Sequence, residues 1–417
     1  MGIEVYFKFI LSFALILIAA RLGGEIAERY LKQPAVIGEL VAGIIISPFA
    51  LGGLINDPII LNFATVEAFG IEEFNIMEVI SQIAVVVLLF VAGVGTDVRS
   101  FLRQGLAGGT VAIGGVILPF VFGYFITWAL YPAIGLEGFL FMGAVLTATS
   151  IGLTVRILMD MGGLGTKEGT TILVGAVVDD IIGIVILSAA VSIAQTGVVN
   201  VGHAVWIAVI GFAVWFALLI IGVRFHKYIS MIFLNPFKRS GTMPIVALLV
   251  GFLIAYLVTL IGLHPVVGAY VAGLMFAATV EKDEILEKTR PIMLFLAPFF
   301  FCYLGMQVDL RLSSTAWIIA AVLIVLATLG KIIGCYIPSR LVGKFSRRSS
   351  MIVGIGMVPR GEVGLIIAGV GLLALGDPFR ELFGAAVLVS IVTTLITPMM
   401  LKPLLRRIAT KRLPEER

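Results

Sequence analysis

The chain has 417 residues, of which 60% are hydrophobic and only 13% carry a charged side chain. Soluble domains carry about 25% charged residues, and a mean hydropathy of +1.13 leaves too little polar surface to cover a soluble globule. This composition excludes a soluble enzyme, a disordered chain and a nucleic-acid-binding protein. The two cysteines lie in apolar stretches and indicate neither a disulfide framework nor a zinc site.

Apolar runs of about 20 residues, the length that crosses a bilayer as an α-helix, recur along the whole chain. The first run is the weakest, because its uninterrupted apolar core at Phe9–Ala20 is short. The pattern predicts an all-α polytopic membrane protein with thirteen transmembrane helices, at about 5–22, 34–52, 79–97, 107–131, 138–158, 170–194, 201–224, 242–262, 265–280, 291–308, 315–338, 350–375 and 381–404.

The basic residues indicate how these helices are oriented. Of the 29 lysines and arginines, only Lys8, Arg311 and Arg380 fall in segments on one side of the predicted membrane, and Lys331 and Arg360 fall within spans. All the others lie on the opposite side, which is the cytoplasmic side by the positive-inside rule. The sequence therefore predicts a multi-pass protein of the plasma membrane, with its N-terminus outside and its C-terminus in the cytoplasm.

The longest predicted outer loop, at 56–78, contains five acidic residues and no basic residue. Such a loop attracts cations electrostatically, but a solvated loop without a further role has the same composition. The sequence leaves both interpretations open.

The two halves of the chain share three short motifs in the same order. The pairs are Gly93–Asp97 with Gly305–Asp309, Leu146–Leu153 with Val358–Leu365, and Ile37–Ile44 with Val267–Leu274. In a thirteen-span arrangement the paired segments cross the membrane in opposite directions, which makes the repeat inverted, as in secondary transporters. We therefore expect a single membrane transporter domain over 1–417 with a first inverted repeat at about 34–194, connecting helices at 201–262, a second inverted repeat at 265–404 and a basic cytoplasmic tail at 405–417.

Two of the predicted spans contain residues that interrupt a helix. Thr147–Ser150 lies in the fifth span, and Pro359–Glu362 lies at the corresponding place in the twelfth. Proline lacks an N–H donor, and threonine and serine hydroxyls compete for backbone hydrogen bonds. Two crossing broken helices near the midplane are therefore expected, and matched breaks of this kind mark transport sites.

Carboxylates in the middle of the sixth span are the strongest functional signal. Asp179 and Asp180 are adjacent in an apolar run, where each acid costs about 2.5–3.5 kcal/mol to insert. Adjacent helical residues face directions about 100° apart, so the two carboxylates can hold different partners. We expect Asp179 to pair with Lys331 of the eleventh span and Asp180 to exchange a proton for a hard cation such as Na+. A purely structural ion-pair cluster is the alternative.

Three other charged residues fall within or beside the spans, namely Arg360, Glu362 and Glu39. A neutralised cluster of these three would hold the broken helix in place. Direct participation in transport is the alternative that the sequence leaves open.

At these residues the chain resembles the monovalent cation:proton antiporter superfamily, in its second branch, and the prokaryotic electrogenic sodium/proton antiporters within it. The resemblance covers nearly the whole chain. The motifs that carry it are Gln33–Glu39, Leu89–Gly93, Thr147–Ser150, Asp179–Asp180, Lys331 and Pro359–Glu362. Each is weak alone, but their combination in this order is highly specific.

The resemblance implies a homodimer in which a core domain moves against a dimerisation domain. It also implies that Asp180 binds the ion, that Asp179 forms a salt bridge with Lys331, and that Thr147 and Thr149 lie near the ion. Family members with an Asp-Asp pair are typically electrogenic sodium exchangers. Potassium-efflux relatives often have Gln-Asp at this place, so the pair here favours sodium.

The sequence as a whole predicts a secondary active sodium/proton antiporter that works by alternating access and serves pH homeostasis. Na+ and H+ are transported, no cofactor is expected, and the partners are the lipid bilayer and a second copy of the chain. A potassium/proton or lithium-tolerant antiporter, a sodium-coupled organic-solute symporter and a channel are the alternatives. An enzyme is not expected, since the sequence contains neither a nucleophile–base constellation nor a phosphate-binding loop.

Overall fold

The structure is a computed structural model, and it describes residues 2–54, 65–68, 71–196, 201–261, 263–309 and 311–412. Over these ranges helix dominates, and the strands β1 (Thr65–Ala68) and β2 (Ile71–Asn75) form one antiparallel hairpin. The helices are α1 (Gly2–Arg29), α2 (Ala35–Ile46), α3 (Ile76–Gly95), α4 (Val98–Arg103), α5 (Gly105–Leu130), α6 (Gly135–Thr147), α7 (Ile151–Asp160), α8 (Lys167–Thr196), α9 (Val201–Arg224), α10 (His226–Ile229), α11 (Met243–Thr259), α12 (Pro265–Ala277), α13 (Lys282–Met306), α14 (Ser314–Leu341), α15 (Arg347–Gly356), α16 (Glu362–Leu375) and α17 (Arg380–Arg412).

The all-α polytopic class is confirmed, whereas the count of thirteen spans is not. Among the described residues, nine helices are long and apolar enough to cross a membrane. A tenth is added if the bent pair Ala208–Arg224 and His226–Phe237 is one span. Three predicted spans correspond to shorter apolar helices, Met243–Thr259, Pro265–Ala277 and Val363–Leu372. Apolar run length did not show where those helices end.

Two predicted boundaries differ from the observed helix ends. The first span was expected to end at residue 22, but α1 continues to Arg29, where an ion pair with Glu25 one turn earlier stabilises the last turn. The predicted basic tail at 405–417 begins as a continuation of α17, which ends at Arg412. Residues 413–417 lie outside the described residues, as do 56–64 and 69–70 of the predicted acidic loop. The β1–β2 hairpin lies within the rest of that loop.

The chain divides into two compact units. Unit 1 comprises Met1–Leu88 and Lys288–Arg311, and unit 2 comprises Leu89–Glu287 and Leu312–Arg417. This division by contacts differs from the predicted partition into two repeats, connecting helices and a tail, which stays a prediction.

In unit 1, glycines allow helices to approach closely. A Cβ atom on Gly38 of α2 would overlap the carbonyl oxygen of Gly23 in α1, and a Cβ on Gly43 would overlap the carbonyl oxygen of Cys302 in α13. Small residues of this kind are typical of helix contacts in membranes. Buried aromatic and aliphatic side chains from α1, α3 and α13, among them Phe299, form the core of the unit.

In unit 2, glycines allow α5 and α14 to cross closely. A Cβ atom on Gly114 would overlap the carbonyl oxygen of Gly334, and a Cβ on Gly334 would overlap that of Gly114. The crossing brings α14, which carries Lys331, against α5. An apolar core packs α6, α14, α16 and α17 together, so it includes one half of each interrupted helix.

Candidate ion-binding site

Two helices of unit 2 are interrupted at the places that the sequence indicated. The helical turn stops at Thr147 and resumes at Ile151, which separates α6 from α7. It stops again at Gly356 and resumes at Glu362, which separates α15 from α16. The second interruption contains Pro359, which has no N–H to continue the helix. The structure therefore confirms both predicted breaks.

The two breaks contact each other and cap each other's helix ends. Ser150 caps the N-terminus of α7, because its hydroxyl accepts a hydrogen bond from the Leu153 N–H at 3.3 Å. The bonds between the breaks run from the Ser150 N–H to the Pro359 oxygen at 2.8 Å, from the Thr149 hydroxyl to the Met357 oxygen at 3.3 Å, and from the Thr154 hydroxyl to the Gly356 oxygen at 3.1 Å. Carbonyls at the end of α15 are satisfied in this way by groups from the other break.

The structure brings Asp179 of α8 and Lys331 of α14 together in a buried ion pair. The Lys331 ammonium donates to both carboxylate oxygens of Asp179, at 3.1 and 3.2 Å, and both side chains are fully buried. The Thr149 side chain is a further polar neighbour of the same carboxylate. Removing either partner would leave an uncompensated charge in a medium that cannot solvate it.

Two buried cations cap the C-terminal end of α6. Lys331 donates to the Thr147 carbonyl oxygen at 2.6 Å, and Arg360 donates to the Leu146 carbonyl oxygen at 2.6 and 3.2 Å. The last carbonyls of a helix have no intrahelical partner, and the C-terminal end of a helix attracts cations. In this structure these carbonyls therefore accept hydrogen bonds from side chains of the protein.

Arg360 is fully buried and binds backbone carbonyls from three segments of unit 2. Besides the end of α6, its guanidinium donates to the Ala327 and Val358 oxygens, each at 3.3 Å. Its own carbonyl oxygen accepts a hydrogen bond from the Thr394 hydroxyl of α17 at 2.6 Å. The planar fork of five N–H donors suits this task, since one side chain can bridge α6, α14 and the α15–α16 break.

Asp180 follows Asp179 on α8 and is 2% exposed. Thr147, Thr149 and Ser150 are buried to the same degree in the α6–α7 break. Asp179, Asp180, Lys331 and Arg360 are each at most 2% exposed, and their formal charges sum to zero. An ion that binds beside these side chains changes the local net charge, and water cannot screen that change.

The predicted cluster of Arg360, Glu362 and Glu39 stays a prediction. Glu39 is 1% exposed but belongs to unit 1, whereas Arg360 belongs to unit 2. Glu362 begins α16, and its side chain lies outside the described residues. The hydrogen bonds that the structure gives to the Arg360 guanidinium end on carbonyl oxygens.

The contribution of α17 to this site was not predicted from the sequence. Thr394 holds the break through the Arg360 carbonyl, and it belongs to a row of four hydroxyl residues that are at most 1% exposed, Ser390, Thr393, Thr394 and Thr397. These positions follow the i, i+3, i+4, i+7 spacing of one helix face. A polar stripe at that spacing in an otherwise apolar span was the signal that would have found it.

These features define a polytopic helical membrane protein with buried charges at two contacting helix breaks, and comparison with known proteins gives its family. The transmembrane sodium/hydrogen exchanger family matches residues 10–407. The Na(+)/H(+)-K(+) antiporter GerN of Bacillus cereus is 37% identical over 398 residues, which are 95% of this chain and 96% of GerN. The high-affinity Na(+)/H(+) antiporter NhaS3 of Synechocystis is 32% identical over 434 residues, which are 98% of this chain and 92% of NhaS3.

A solved structure of the sodium proton antiporter MjNhaP1 from Methanocaldococcus jannaschii has the same fold. The TM-score is 0.67 at 16% sequence identity, and the match covers 100% of both chains. The chain belongs to the sodium/hydrogen exchanger family, whose members are transporters and not enzymes.

Proposed function

We propose that the chain is a secondary active sodium/proton antiporter in which Na+ and H+ compete for Asp180. The observation that carries the proposal is the burial of Asp180 directly beside an ion pair in which Asp179 already has Lys331. A buried carboxylate is costly when it is ionised, and a proton or a cation at the carboxylate lowers that cost. A carboxylate that takes either ligand, but not both, couples their movements in opposite directions.

Sodium is the proposed cation because the relatives named above include a Na(+)/H(+) antiporter and a Na(+)/H(+)-K(+) antiporter. The Na(+)/H(+) antiporter supports sodium as the transported cation, and the Na(+)/H(+)-K(+) antiporter leaves potassium as the alternative for the same site. Carboxylate, hydroxyl and carbonyl oxygens are the ligands that hard cations prefer. We propose Thr147, Thr149 and Ser150 as the neighbours of Asp180 that supply these oxygens.

Alternating access by two inverted repeats is the proposed mechanism. Two short motifs at corresponding places of the sequence support the repeat. The Asp97 carboxylate accepts from the Arg99 N–H at 3.0 Å, and the Asp309 carboxylate accepts from the Arg311 N–H at 2.9 Å. The same aspartate turn thus follows the corresponding helices α3 and α13. A homodimer, with the N-terminus outside and the C-terminus in the cytoplasm, completes the proposal.

Electrogenic exchange is the proposed consequence of the Asp179–Lys331 pair. If Lys331 releases a proton when sodium binds, each cycle moves net charge, whereas titration of Asp180 alone allows electroneutral exchange. Lys331→Gln is therefore expected to reduce or abolish the dependence of transport on membrane potential. Transport by this variant that stays fully electrogenic would contradict a second proton on the lysine.

The experiment that tests the function follows a proton gradient in sealed proteoliposomes after addition of NaCl, KCl or LiCl, with Asp180→Asn alongside. Dissipation of the gradient by sodium, and its absence in the variant, is the expected result. A response to potassium alone would keep the mechanism and change the substrate. If no cation moves protons at any pH, the antiporter proposal is wrong, and substrate-dependent sodium uptake would then identify an organic-solute symporter.

A further inference from the structure

A short segment after α9 leaves the direction of the preceding span. Residues His226–Phe237, called here the bent segment, run at 79° to Ala208–Arg224. It consists of one α-helical turn, a π-helical turn at Ser230–Leu234 and a 3-10 turn. One side of the bent segment packs on unit 2, because Ile229 and Leu234 are buried.

The opposite side of the bent segment is apolar and exposed. The residue before it and five residues within it are 41% to 59% exposed, namely Phe225, Tyr228, Met231, Ile232, Phe233 and Phe237. A concentration of large apolar side chains on one exposed face marks contact with a membrane or another protein. A helix of this composition that lies across the direction of a span is typical of the membrane–water interface.

Charge distinguishes between a membrane and a protein partner. Four exposed basic residues flank the apolar face, with Arg224 and Lys227 at one end and Lys238 and Arg239 at the other. The stretch 224–242 contains no aspartate or glutamate. Clusters of lysine and arginine beside an apolar helix face are complementary to a bilayer surface that carries anionic lipids.

The basic end of this surface is held in place by unit 2. Glu281 accepts hydrogen bonds from the Ser230 hydroxyl and from the Lys238 ammonium, both at 2.9 Å. The Glu281 side chain is buried, whereas the Lys238 side chain is half exposed. An ammonium has three donors, so Lys238 can keep this contact and still donate to a phosphate.

We propose that the bent segment lies in the membrane–water interface and that its flanking basic residues bind the headgroups of anionic phospholipids. The apolar face enters the boundary between headgroups and acyl chains, and the bases remain at the level of the phosphates. The positive-inside pattern assigns this surface to the cytoplasmic leaflet, where anionic lipids are enriched. The proposal is independent of which ion the protein transports.

The test places a fluorescent bimane on Met231→Cys. Cys302 and Cys335 are buried, so the introduced thiol is the accessible one among the described residues. The labelled protein is reconstituted in phosphatidylcholine vesicles that contain the same mole fraction of either brominated phosphatidylglycerol or brominated phosphatidylcholine, and quenching is compared. A label on Ile318→Cys, on the exposed face of α14, reports quenching at a span without a basic cluster.

Brominated phosphatidylglycerol is expected to quench the label at Met231 several-fold more strongly than brominated phosphatidylcholine. Lys227→Gln with Arg239→Gln removes two bases without changing the Lys238–Glu281 contact. In this double variant the two lipids should quench the label at Met231 almost equally, because each base near the surface raises the affinity for anionic lipid by a factor of about five. The matched control, Lys344→Gln with Arg347→Gln, removes two exposed bases elsewhere and should keep the preference.

Two results would overturn the proposal. Equal quenching by both lipids in the protein with all its bases would show that headgroup charge is not recognised. If both brominated lipids quench the label at position 318 and neither quenches the label at position 231, the apolar face is covered by protein, such as a second copy of the chain.

Discussion

Two lysine–carboxylate pairs of unit 2 have similar geometry in different surroundings. Lys331 lies 3.1 Å from the Asp179 carboxylate, and Lys238 lies 2.9 Å from that of Glu281. In the first pair both side chains are fully buried, whereas in the second the lysine side chain is 50% exposed. Water and salt screen the second pair, so it contributes little to stability. Water and salt do not screen the first pair, so a proton or ion that binds beside it changes the electrostatic energy of the pair directly.

The comparison teaches that ion-pair geometry alone does not identify a functional site. Asp179 and Lys331 are distinguished by their place at the end of a broken helix, where Lys331 also binds the Thr147 carbonyl. Glu281 and Lys238 join a surface segment to the unit that carries it. Changes in the buried pair are therefore expected to affect both stability and transport, whereas changes in the half-exposed pair should have only a small effect on stability.

The largest expected effect follows removal of one partner of the buried pair. Asp179→Asn leaves the Lys331 ammonium buried without its counter-charge, which costs about 3–5 kcal/mol. Thermal unfolding of the purified protein in detergent should show a marked loss of stability. The double replacement Asp179→Leu with Lys331→Met removes both charges and should recover much of that loss. A double variant as unstable as the single variant would contradict an ion-pair origin of the effect.

The second prediction concerns the guanidinium that joins the broken helices. Arg360→Lys keeps the charge but replaces the planar fork by a single ammonium, which cannot reach the Leu146, Ala327 and Val358 carbonyls together. Each buried carbonyl left unbonded costs about 1–3 kcal/mol. We expect a folded, less stable variant with reduced transport, measured by thermal unfolding and by sodium-driven proton flux. Unchanged stability would show that these bonds do not hold the breaks.

The third prediction compares two serines that cap helices. Ser150 caps α7 at the break, and Ser346 caps α15 at its exposed end, with its hydroxyl accepting from the Ser349 N–H. Alanine at either position should cost about 1 kcal/mol. Only Ser150→Ala is expected to raise the KM for sodium as well, because Ser346 is remote from the break along the helix. A raised KM in both variants, or in neither, would remove Ser150 from the proposed ion neighbourhood.

The smallest effect belongs to the half-exposed pair, and it depends on pH. Burial of Glu281 raises the pKa of its carboxyl, but hydrogen bonds from Lys238 and Ser230 outweigh burial, so the pKa lies below the ordinary value of 4.5. The stabilisation is therefore present above pH 4.5 and is lost as the pH falls through the lowered pKa. Glu281→Gln should cost no more than about 1 kcal/mol at neutral pH.

Unfolding temperatures of the unmodified protein and of Glu281→Gln, measured from neutral to acidic pH, check this prediction. The difference between the two proteins should shrink as the pH falls below 4.5. A difference that does not change with pH would show that ionisation of Glu281 is not its origin.

Residue type and position were enough to predict several features of the site. Thr147–Ser150 and Pro359–Glu362 predicted the two helix breaks, because proline and hydroxyl residues act on the local backbone. Lys331 was the candidate partner of Asp179 because a lone base in an apolar span needs a counter-charge. Local chemistry and charge balance are properties that a sequence displays directly.

Features that depend on packing between distant helices were not predictable in the same way. The sequence did not indicate that Arg360 binds carbonyl oxygens, since backbone partners carry no side-chain signal. It also did not show that Thr394 of α17 contacts the break. Helix lengths in the shorter apolar helices were missed because apolar residues continue past the last helical turn, as they do beyond Ala277 of α12.

The measurement that tests the central claim most directly is sodium binding to the purified protein as a function of pH, with Asp180→Asn as the comparison. If Na+ and H+ compete for Asp180, the apparent Kd for sodium rises at least tenfold for each unit of pH below the pKa of that carboxyl, because at least one proton must leave before one ion binds. The variant should bind no sodium at any pH. A Kd that stays constant across the pH range, or sodium binding that survives in Asp180→Asn, would contradict the account.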